Sequence, residues 1–365
     1  MNRPPASAPA TAPCRVVQWS TGNVGRLALR MLIDRPEFEL VGVRVHDPAK
    51  VGVDASELCG RAPTGVIATD DTDVLLALEP DCIVYTATAD LRPKQAVDDL
   101  VRILGAGINV VSSSVVALVY PPAANPRDVE RLEAACLAGR ASCFTSGIDP
   151  GYANDLVPLA LLGAQERVDS VRVAEILNYE HYDQPEVVFE TFGFGMPLDE
   201  TPVLLLPGVL TFAWGPVVHA LADSLGATLD EIREVHERVP AEHALETALG
   251  TIEAGTAAGL RFEVQGIVGG EPRIVIEHVT RMHDSVAPEW PRPLGPGGYH
   301  LVIEGLPRTE CHLLLSDPST GQHGVAGLIG TAARIVNAIP LVCAARPGLL
   351  TAADVPLAPG PGLSP

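Results

Sequence analysis

The sequence predicts an α/β protein, with a parallel sheet in its first half and a second α+β domain built on a mixed or antiparallel sheet. Its 365 residues are more than one hydrophobic core usually holds, so two domains are expected. Up to about residue 150, short apolar strands alternate with amphipathic helices, as strand–helix–strand crossovers require. Beyond Gly151, long strands follow one another with few helices between them, which is typical of an α+β domain.

The first half contains five apolar strand segments separated by helical patterns. The strands are predicted at 15–19, 38–45, 82–86, 109–112 and 141–145. The helices are predicted over about 24–32, 71–78, 94–104 and 126–139. Asn125 and Pro126 mark one helix start, because a capping side chain is followed there by a proline in the first turn.

The second half begins with a predicted strand at 171–178 and contains a hairpin around the glycine pair 269–270. Further strands are predicted at 260–268, 273–282, 299–304 and 310–315. Thr228 and Glu231 have the spacing of a capping box, which predicts an amphipathic helix after them. A last helical pattern, at 327–338, is expected to pack back against the first domain.

Composition and charge exclude several classes of partner. The formal net charge of −20 argues against binding to nucleic acid or to an anionic membrane surface. The seven cysteines form no CxxC pair and the ten histidines form no HExxH motif, so no catalytic metal is expected. The uncharged stretch at 201–222 is long enough for a membrane span, but prolines interrupt it. We expect a cytoplasmic protein whose partner is a small molecule.

The most informative motif joins the first strand to the first helix. It consists of Ser20, Thr21, Gly22, Asn23, Val24 and Gly25. A strand, a glycine-containing turn and a helix form the setting of a dinucleotide-binding loop, in which the helix N-terminus faces the phosphates. Gly22 would let the backbone approach a pyrophosphate, and Gly25 would let the helix pack close to the strand. Ser20 stands where the first glycine of the GxGxxG pattern is usual.

The end of the second strand supplies the candidates for cofactor choice. Arg44, His46 and Asp47 end this strand, and Asp47 follows the loop by about 20 residues, where an acid holds the ribose hydroxyls of NAD. Arg44 and Lys50 lie on either side of it in sequence and could instead attract the 2′-phosphate of NADP. The residues thus predict NAD or NADP without deciding between them.

These motifs resemble those of the dihydrodipicolinate reductase-like superfamily and, within it, the branch of 2,4-diaminopentanoate dehydrogenase and the native amine dehydrogenases. The similar segments are 20–25, 51–60, 86–88, 111–114, 147–151, 192–195, 337–340 and 347–348. The resemblance implies a Rossmann-type first domain, a cleft between two domains and a homodimer. It also implies that Thr86, Ala87, Thr88 and Ser112 approach the nicotinamide, and Asn337 could bond its carboxamide.

With this resemblance, the chain divides into five segments. The first, 1–13, is predicted to be a disordered tail, and 14–150 to be the dinucleotide-binding domain. The range 151–326 is predicted to be the substrate and dimerisation domain. The range 327–357 should return to the first domain, and 358–365 should form a second tail.

Two positions depart from the family pattern. The run from Glu175 to Tyr182 lacks the lysine of dihydrodipicolinate reductase, so that reaction is not expected. The amine dehydrogenases are expected to carry a glutamate just after the serine-rich strand end, and Val115 stands there instead. A valine cannot exchange a proton, so another group would have to handle the proton of the amine.

The candidate proton donors lie in and just after the first strand of the second domain. His181 can exchange a proton near neutral pH, and Tyr182 can donate a hydrogen bond to a developing oxyanion or imine nitrogen. Glu175 lies within the apolar strand itself, where a carboxylate would be buried and hydrogen-bonded. The aromatic residues at 192, 194, 212 and 214 suggest a fairly hydrophobic substrate.

The sequence therefore predicts an NAD(P)-dependent oxidoreductase. It would reduce a C=O or C=N bond of a small, fairly hydrophobic substrate, or oxidise the corresponding alcohol or amine. One open alternative is an amine dehydrogenase in which a different acid replaces the missing glutamate. The other is a catalytically silent protein that binds NAD(P) as a sensor.

Overall fold

The structure is a computed structural model, which describes residues 12–89, 92–182, 184–355, 358, 360 and 362. The predicted tail at 1–13 lies outside the described residues apart from Ala12 and Pro13. The predicted tail at 358–365 is described only at 358, 360 and 362. The described residues form two large sheets, each of which buries an apolar core against helices.

The first domain is built on seven parallel strands: β1 (Cys14–Trp19), β2 (Phe38–Arg44), β3 (Ala68–Thr69), β4 (Cys82–Tyr85), β5 (Asn109–Ser112), β6 (Ser142–Thr145) and β15 (Gly348–Leu350). Their order across the sheet is β15-β6-β5-β4-β1-β2-β3. The strand order therefore reverses at β1, which lies between β4 and β2. In such sheets, ligands bind outside the carboxyl ends of the strands near this reversal.

Helices cover both faces of this sheet: α1 (Asn23–Asp34), α2 (Thr72–Leu76), α3 (Pro93–Gly105), α4 (Pro126–Gly139) and α7 (His323–Ala344). On one face, α3 and α4 pack through residues such as Leu100 and Leu132. On the other face, α1 and α7 pack through Leu32, Ile335 and Ile339. By length and composition alone α7 could cross a membrane, and here it is partly buried on this sheet.

The second domain is built on six strands: β7 (Arg167–Asn178), β8 (Glu231–Pro240), β11 (Ala257–Val268), β12 (Glu271–Arg281), β13 (Gly297–Leu306) and β14 (Thr309–Leu314). Their order is β14-β13-β7-β12-β11-β8. The sheet is mixed, because β7 and β12 run parallel while the other neighbours run antiparallel. The remaining elements are α5 (Leu156–Leu162), α6 (Val209–Ser224), β9 (Leu245–Thr247) and β10 (Gly250–Ile252). The inner face of the sheet packs against α6.

The predicted α/β class with a mixed second sheet is confirmed, whereas the helix predicted after Thr228 is wrong. Residues 231–240 form β8, which pairs antiparallel with β11 along almost its whole length. Ile232 and Val239 have the seven-residue spacing of one helix face, which explains the helical pattern. Backbone pairing with the long neighbouring strand outweighs the local preference, which is worth only fractions of a kcal/mol per residue.

Candidate active site

The loop between β1 and α1 presents backbone donors at the carboxyl edge of the first sheet. Gly22 is the N-cap residue of α1, and no side chain caps the helix. The first N–H groups of such a helix are available to an anion. Apart from the chain neighbours of Gly22, no described residue has an atom within 4 Å of where its Cβ would lie. A phosphate group therefore has room against this backbone.

Gly25 and Ser20 explain how the turn becomes so tight. A Cβ on Gly25 would lie 2.3 Å from the Ser20 carbonyl oxygen and 2.6 Å from Thr86 Oγ1, so only glycine fits between the helix and the strand. Ser20 has a φ of +78°, a left-handed conformation that favours the glycine usual at this position. Gln18 Nε2 donates to the Ser20 carbonyl oxygen at 2.8 Å and to Thr86 Oγ1 at 2.9 Å, which fixes the loop.

Lys50 brings a positive charge to this loop. Its Nζ lies 3.4 Å from Thr21 Oγ1 and 3.5 Å from the Thr21 carbonyl oxygen. Asp47 is exposed, and its carboxylate accepts a hydrogen bond of 2.9 Å from the Ala49 amide. This bond caps the short turn at 48–50. The carboxylate expected to hold the ribose hydroxyls thus already has one backbone partner.

Arg44 and His46 lie at the end of β2 beside Trp19. The Arg44 guanidinium carbon lies 5.3 Å from the centroid of the Trp19 ring, and Arg44 Nε lies 3.3 Å from Thr72 Oγ1. Burial and the nearby charges of Arg44 and Arg92 lower the pKa of His46. Two guanidinium groups, those of Arg44 and Arg92, therefore lie near the imidazole at the end of β2.

The residues after β4 and β5 meet the loop at the same edge of the sheet. The Ser114 hydroxyl donates to the Ala87 carbonyl oxygen, and Ser112 Oγ accepts from the Ser114 amide at 2.9 Å. Thr86 bonds within the loop itself, and Thr88 is exposed. The structure thus brings Thr86, Ala87, Thr88 and Ser112 together beside the loop, as neighbouring parallel strands require.

Asn337 on α7 is bonded to a residue that follows α1. Arg35, which follows the last residue of α1, donates to Asn337 Oδ1 at 2.5 Å. The loop lies at the other end of α1, and a helix of this length rises about 18 Å. Asn337 Oδ1 is therefore engaged by Arg35 in this structure, and a bond from Asn337 to the nicotinamide carboxamide stays a prediction.

Val115 lies at the carboxyl end of β5 in an unusual backbone conformation. Its φ of +54° is one that a β-branched residue rarely adopts. Its side chain is half-buried and packs against the apolar core of the first domain. This position therefore contributes packing and no proton-exchanging group.

A row of side chains crosses the inner face of the second sheet. Glu175 on β7 is in register with Tyr299 on β13 and with His278 on β12. His278 is in turn in register with Phe262 on β11. Asp149 comes from the loop that follows β6 in the first domain and meets this row at His278. The Asp149–His278–Glu175 cluster thus joins the carboxyl edge of the first sheet to the second sheet.

Both ring nitrogens of His278 face a carboxylate. Nδ1 lies 3.0 Å from Glu175 Oε2, and Nε2 lies 3.5 Å from Asp149 Oδ2. The imidazole stacks on Phe262, with ring centroids 4.6 Å apart and an angle of 10° between the planes. The side chains of His278 and Asp149 are 4% and 5% exposed, so the pair is shielded from bulk water. The ring is therefore held in one orientation between two acids.

The other oxygens of the two carboxylates are held by donors from different elements. The Tyr299 hydroxyl donates to Glu175 Oε1 at 2.5 Å. Trp214 Nε1 of α6 and Asn154 Nδ2 donate to Asp149 Oδ1 at 2.7 and 2.6 Å. Buried carboxylates need such partners, and these fix Asp149 and Glu175 in place.

The cluster has shifted pKa values. Burial raises the pKa of Asp149 to about 6, although His278 lowers it in part. Burial alone would lower the pKa of His278, but the charges of Asp149 and Glu175 outweigh burial and leave it raised. Burial also disfavours the ionised Glu175, yet the hydrogen bond and charge of His278 hold its pKa below the usual value. These shifts favour an imidazolium between two carboxylates, of which Asp149 takes up a proton more readily.

Sequence reasoning found Glu175 but missed Asp149 and His278. Asp149 lies between two glycines in the 147–151 segment. This segment carries the family resemblance, and nothing in its sequence marks the carboxylate as a proton acceptor. His278 shares the inward face of its strand with Ile274 and Ile276. A titratable residue at an inward position of an apolar strand was the available signal.

His181 and Tyr182 line a cavity of about 500 Å³ at the end of β7. Tyr182 stacks on Tyr179 with ring centroids 4.3 Å apart, and its hydroxyl accepts a hydrogen bond of 2.8 Å from Gln184 Nε2. Burial and the nearby charge of Glu175 raise the pKa of Tyr182 to about 12, so it stays protonated. His181 is exposed, and no hydrogen bond among the described residues joins it to the cluster.

The predicted aromatic residues fall into two groups. Phe192 and Phe194 are buried and stack with centroids 5.7 Å apart. Trp214 packs against His278 at 4.5 Å between ring centroids. Phe212 is 57% exposed and does not join these apolar surfaces. Apolar rings therefore adjoin the cluster through Trp214.

Sequence comparison places the chain among known dehydrogenases. Residues 152–360 match the family model of the 2,4-diaminopentanoate dehydrogenase C-terminal domain. An amine dehydrogenase of Streptomyces virginiae is 45% identical over 352 residues, which cover 95% of this chain and 97% of that protein. The chain belongs to this dehydrogenase family. The 2,4-diaminopentanoate dehydrogenase of Acetoanaerobium sticklandii is 26% identical, over 94% of this chain and 93% of that protein.

Structural comparison agrees on the fold. The amine dehydrogenase structure from Mycobacterium smegmatis matches with a TM-score of 0.75 at 24% identity, over 95% of this chain and 97% of that one. The predicted family resemblance is thus confirmed, and the chain is an NAD(P)-dependent oxidoreductase. The loop at Gly22 and Gly25 fits a nicotinamide dinucleotide, because its uncapped helix start and open space suit the pyrophosphate.

Proposed function

We propose that the chain interconverts a small, fairly hydrophobic amine with its carbonyl compound and ammonia. The 45% identical amine dehydrogenase of Streptomyces virginiae supports this reaction class. The proposal rests on the Asp149–His278–Glu175 cluster. Its carboxylates can exchange a proton, whereas Val115, at the position of the expected glutamate, cannot. The enzyme is then an amine dehydrogenase in which a different acid replaces the missing glutamate.

The cluster manages the protons of this reaction. In the oxidative direction the amine enters as an ammonium ion and must lose a proton before hydride can leave its carbon. Asp149, ionised above its pKa of about 6, accepts that proton. A nicotinamide cofactor held at the loop of Gly22 and Gly25 would supply the acceptor for the hydride and its two electrons. Water then adds to the carbon of the C=N bond and releases one proton to solvent, and Asp149 returns its proton to the nitrogen. The ionised carboxylate then removes the proton of the hydroxyl as the C–N bond breaks and ammonia leaves.

The neighbours of Asp149 serve that proton transfer. His278 shares the proton and charge of Asp149, because its Nε2 faces Asp149 Oδ2. Trp214 and Asn154 orient the carboxylate, and Glu175 orients the imidazole. Burial keeps bulk water from competing for the proton, which strengthens each of these interactions. In reductive amination the same groups return protons to the carbonyl oxygen as it leaves as water.

For the cofactor, we propose a preference for NADP. The cations Arg44, at the end of β2, and Lys50, beside the phosphate loop, support a site for the 2′-phosphate. The Asp47 carboxylate already accepts a hydrogen bond from the Ala49 amide, which makes it less available to the ribose hydroxyls of NAD. Arg44→Ser should lower the ratio of kcat/KM for NADP to that for NAD, and Asp47→Ala should raise it. An unchanged ratio in both variants contradicts this assignment.

We propose a small-molecule substrate as the partner, with no nucleic acid and no membrane. The apolar ring of Trp214, which is partly exposed next to the cluster, supports a substrate without charged groups other than its amine. The net charge of −20 supports a cytoplasmic protein that does not bind polyanions. The family resemblance supports a homodimer.

The test is NAD(P)H oxidation with a panel of aliphatic and aryl ketones and aldehydes, with and without ammonia. We expect turnover to require ammonia and to fall in Asp149→Asn, while Glu180→Gln, a nearby carboxylate outside the cluster, keeps wild-type turnover. Equal turnover without ammonia would indicate a carbonyl reductase. Tight cofactor binding without turnover across the panel would indicate the silent sensor.

A further inference from the structure

Two histidines and a glutamate form a second cluster on the edge hairpin β13–β14. His300 on β13 and His312 on β14 are directly opposite each other in the antiparallel register. Glu310 lies two residues before His312 on the same strand, so its side chain leaves the sheet on the same face. The pairing of the two strands therefore collects three metal-ligating side chains at one place.

The ligand atoms of the three side chains lie close together. Glu310 Oε1 lies 2.8 Å from His300 Nε2 and 3.6 Å from His312 Nε2. The two imidazole rings are parallel, with centroids 4.3 Å apart and an angle of 2° between the planes. Their ligand atoms all lie within 4.8 Å of one another. A tetrahedral zinc ion with bonds of about 2.1 Å to nitrogen separates its ligands by about 3.4 Å, which this cluster can reach with small side-chain movements.

We propose that His300, Glu310 and His312 bind a divalent transition-metal ion of the Zn²⁺ type. Imidazole nitrogens and a carboxylate oxygen are ligands that zinc takes in proteins, whereas calcium and magnesium take oxygen almost exclusively. The Arg308 guanidinium donates to the other carboxylate oxygen, Glu310 Oε2, at 2.8 Å. This bond leaves Oε1 for the metal and orients the carboxylate, as outer partners of metal ligands do.

The site is open to solvent and separate from the catalytic cluster. The side chains of His300, His312 and Glu310 are 30%, 32% and 40% exposed, so an ion can enter and water can complete its coordination. Tyr299, the residue before His300, points to the opposite face, where it bonds to Glu175. A metal here is therefore structural, since it joins the edge strand β14 to β13 behind the active site and takes no part in hydride transfer.

The test is calorimetric titration of Zn²⁺ into the untagged, metal-free full-length protein, with thermal unfolding as a second readout. We expect saturable binding of one ion per chain and a rise in melting temperature with zinc. His300→Asn and His312→Asn should each weaken zinc binding by at least about tenfold, a loss of roughly 1.4 kcal/mol. His283→Asn is the matched control, because His283 is also on the surface and bonds only to Ser285 among the described residues.

Three results would overturn the proposal. One is the absence of saturable zinc binding by the wild-type protein, which would make the cluster an ion pair of His300, Glu310 and Arg308 only. Another is unchanged binding in the double variant His300→Asn/His312→Asn, which would place the ion elsewhere, with the buried Asp149–His278–Glu175 cluster as the first alternative. The third is an equal loss of binding in His283→Asn. Circular dichroism of each variant without zinc shows whether it is folded.

Discussion

His278 Nδ1 lies 3.0 Å from Glu175 Oε2 because the two residues are in direct register on the parallel strands β7 and β12. Side chains in register on neighbouring strands of one sheet face are close enough to interact. Glu175 thereby fixes which way the imidazole faces, so that Nε2 is turned toward Asp149. The carboxylate acts through the ring and is a positioning residue.

Replacing Glu175 should therefore misdirect His278. In Glu175→Gln the imidazole loses a charged partner, so the pKa of His278 should fall and its orientation should loosen. We expect kcat to drop by about a hundredfold with KM changed much less, since misplacing a reacting group costs on that order. Steady-state kinetics and an NMR titration of the His278 ring protons measure the two effects. Glu180→Gln serves as control, and an unchanged His278 pKa in Glu175→Gln would refute the positioning role.

Asp149 should impose a pH dependence on amine oxidation. A carboxylate accepts the ammonium proton only when it is ionised, and burial raises the pKa of Asp149 to about 6. The kcat/KM for amine oxidation should therefore rise with pH through about 6 and be lost below it. Asp149→Asn should remove this inflection and lower the rate by at least about a hundredfold. A profile that keeps the same inflection in Asp149→Asn would assign it to another group.

The two glycines of the loop should respond differently to substitution. The space around Gly22 is open and its φ is −74°, so Gly22→Val should fold normally while its side chain occupies the room for the pyrophosphate. We expect NAD(P) affinity to fall at least about tenfold, or roughly 1.4 kcal/mol. Gly25→Ala forces a Cβ against the Ser20 carbonyl oxygen and should lower the melting temperature as well. Fluorescence titration and thermal unfolding separate these effects, and wild-type affinity in a folded Gly22→Val would exclude this loop as the phosphate site.

Restoring the missing glutamate should not improve the enzyme. Val115 packs against the apolar core of the first domain, so Val115→Glu would bring a carboxylate into apolar surroundings that raise its pKa. We expect Val115→Glu to lower the melting temperature and to leave ammonia-dependent turnover at or below the wild-type level. The same substitution in Asp149→Asn tests rescue directly. A large gain of amination in Val115→Glu would show that position 115, and not the cluster, governs the proton.

The phosphate loop could be predicted from the sequence because all its determinants are local. Strand, turn and helix follow one another directly along the chain, and the positive φ of Ser20 shows why glycine is usual at that position. The cluster proposed to be catalytic could not be predicted in the same way. Asp149, Glu175 and His278 come together only through strand register and through the contact between the two domains, which no spacing in the sequence encodes.

Predictions on the role of single residues were weaker where two local preferences competed. The segment 231–240 carries a helix signal at its start, yet it lies beside β11 and completes the sheet as an edge strand. Asn337 lies on a predicted helix that exists, but the rotation of α7 turns the amide toward Arg35. Helix existence follows from periodicity, whereas the neighbour that a given side chain meets depends on packing.

The first sheet is completed only by the last part of the chain. β15 pairs with β6 at the edge of the sheet, and α7 covers the face that includes Val16 and Val111. During synthesis, the whole second domain therefore emerges from the ribosome before the first domain can close. A nascent chain that ends before His323 exposes this apolar face, and such intermediates are prone to aggregate. We expect the N-terminal half of the nascent chain to depend on chaperones until the C-terminal residues that cover its apolar face have been synthesised.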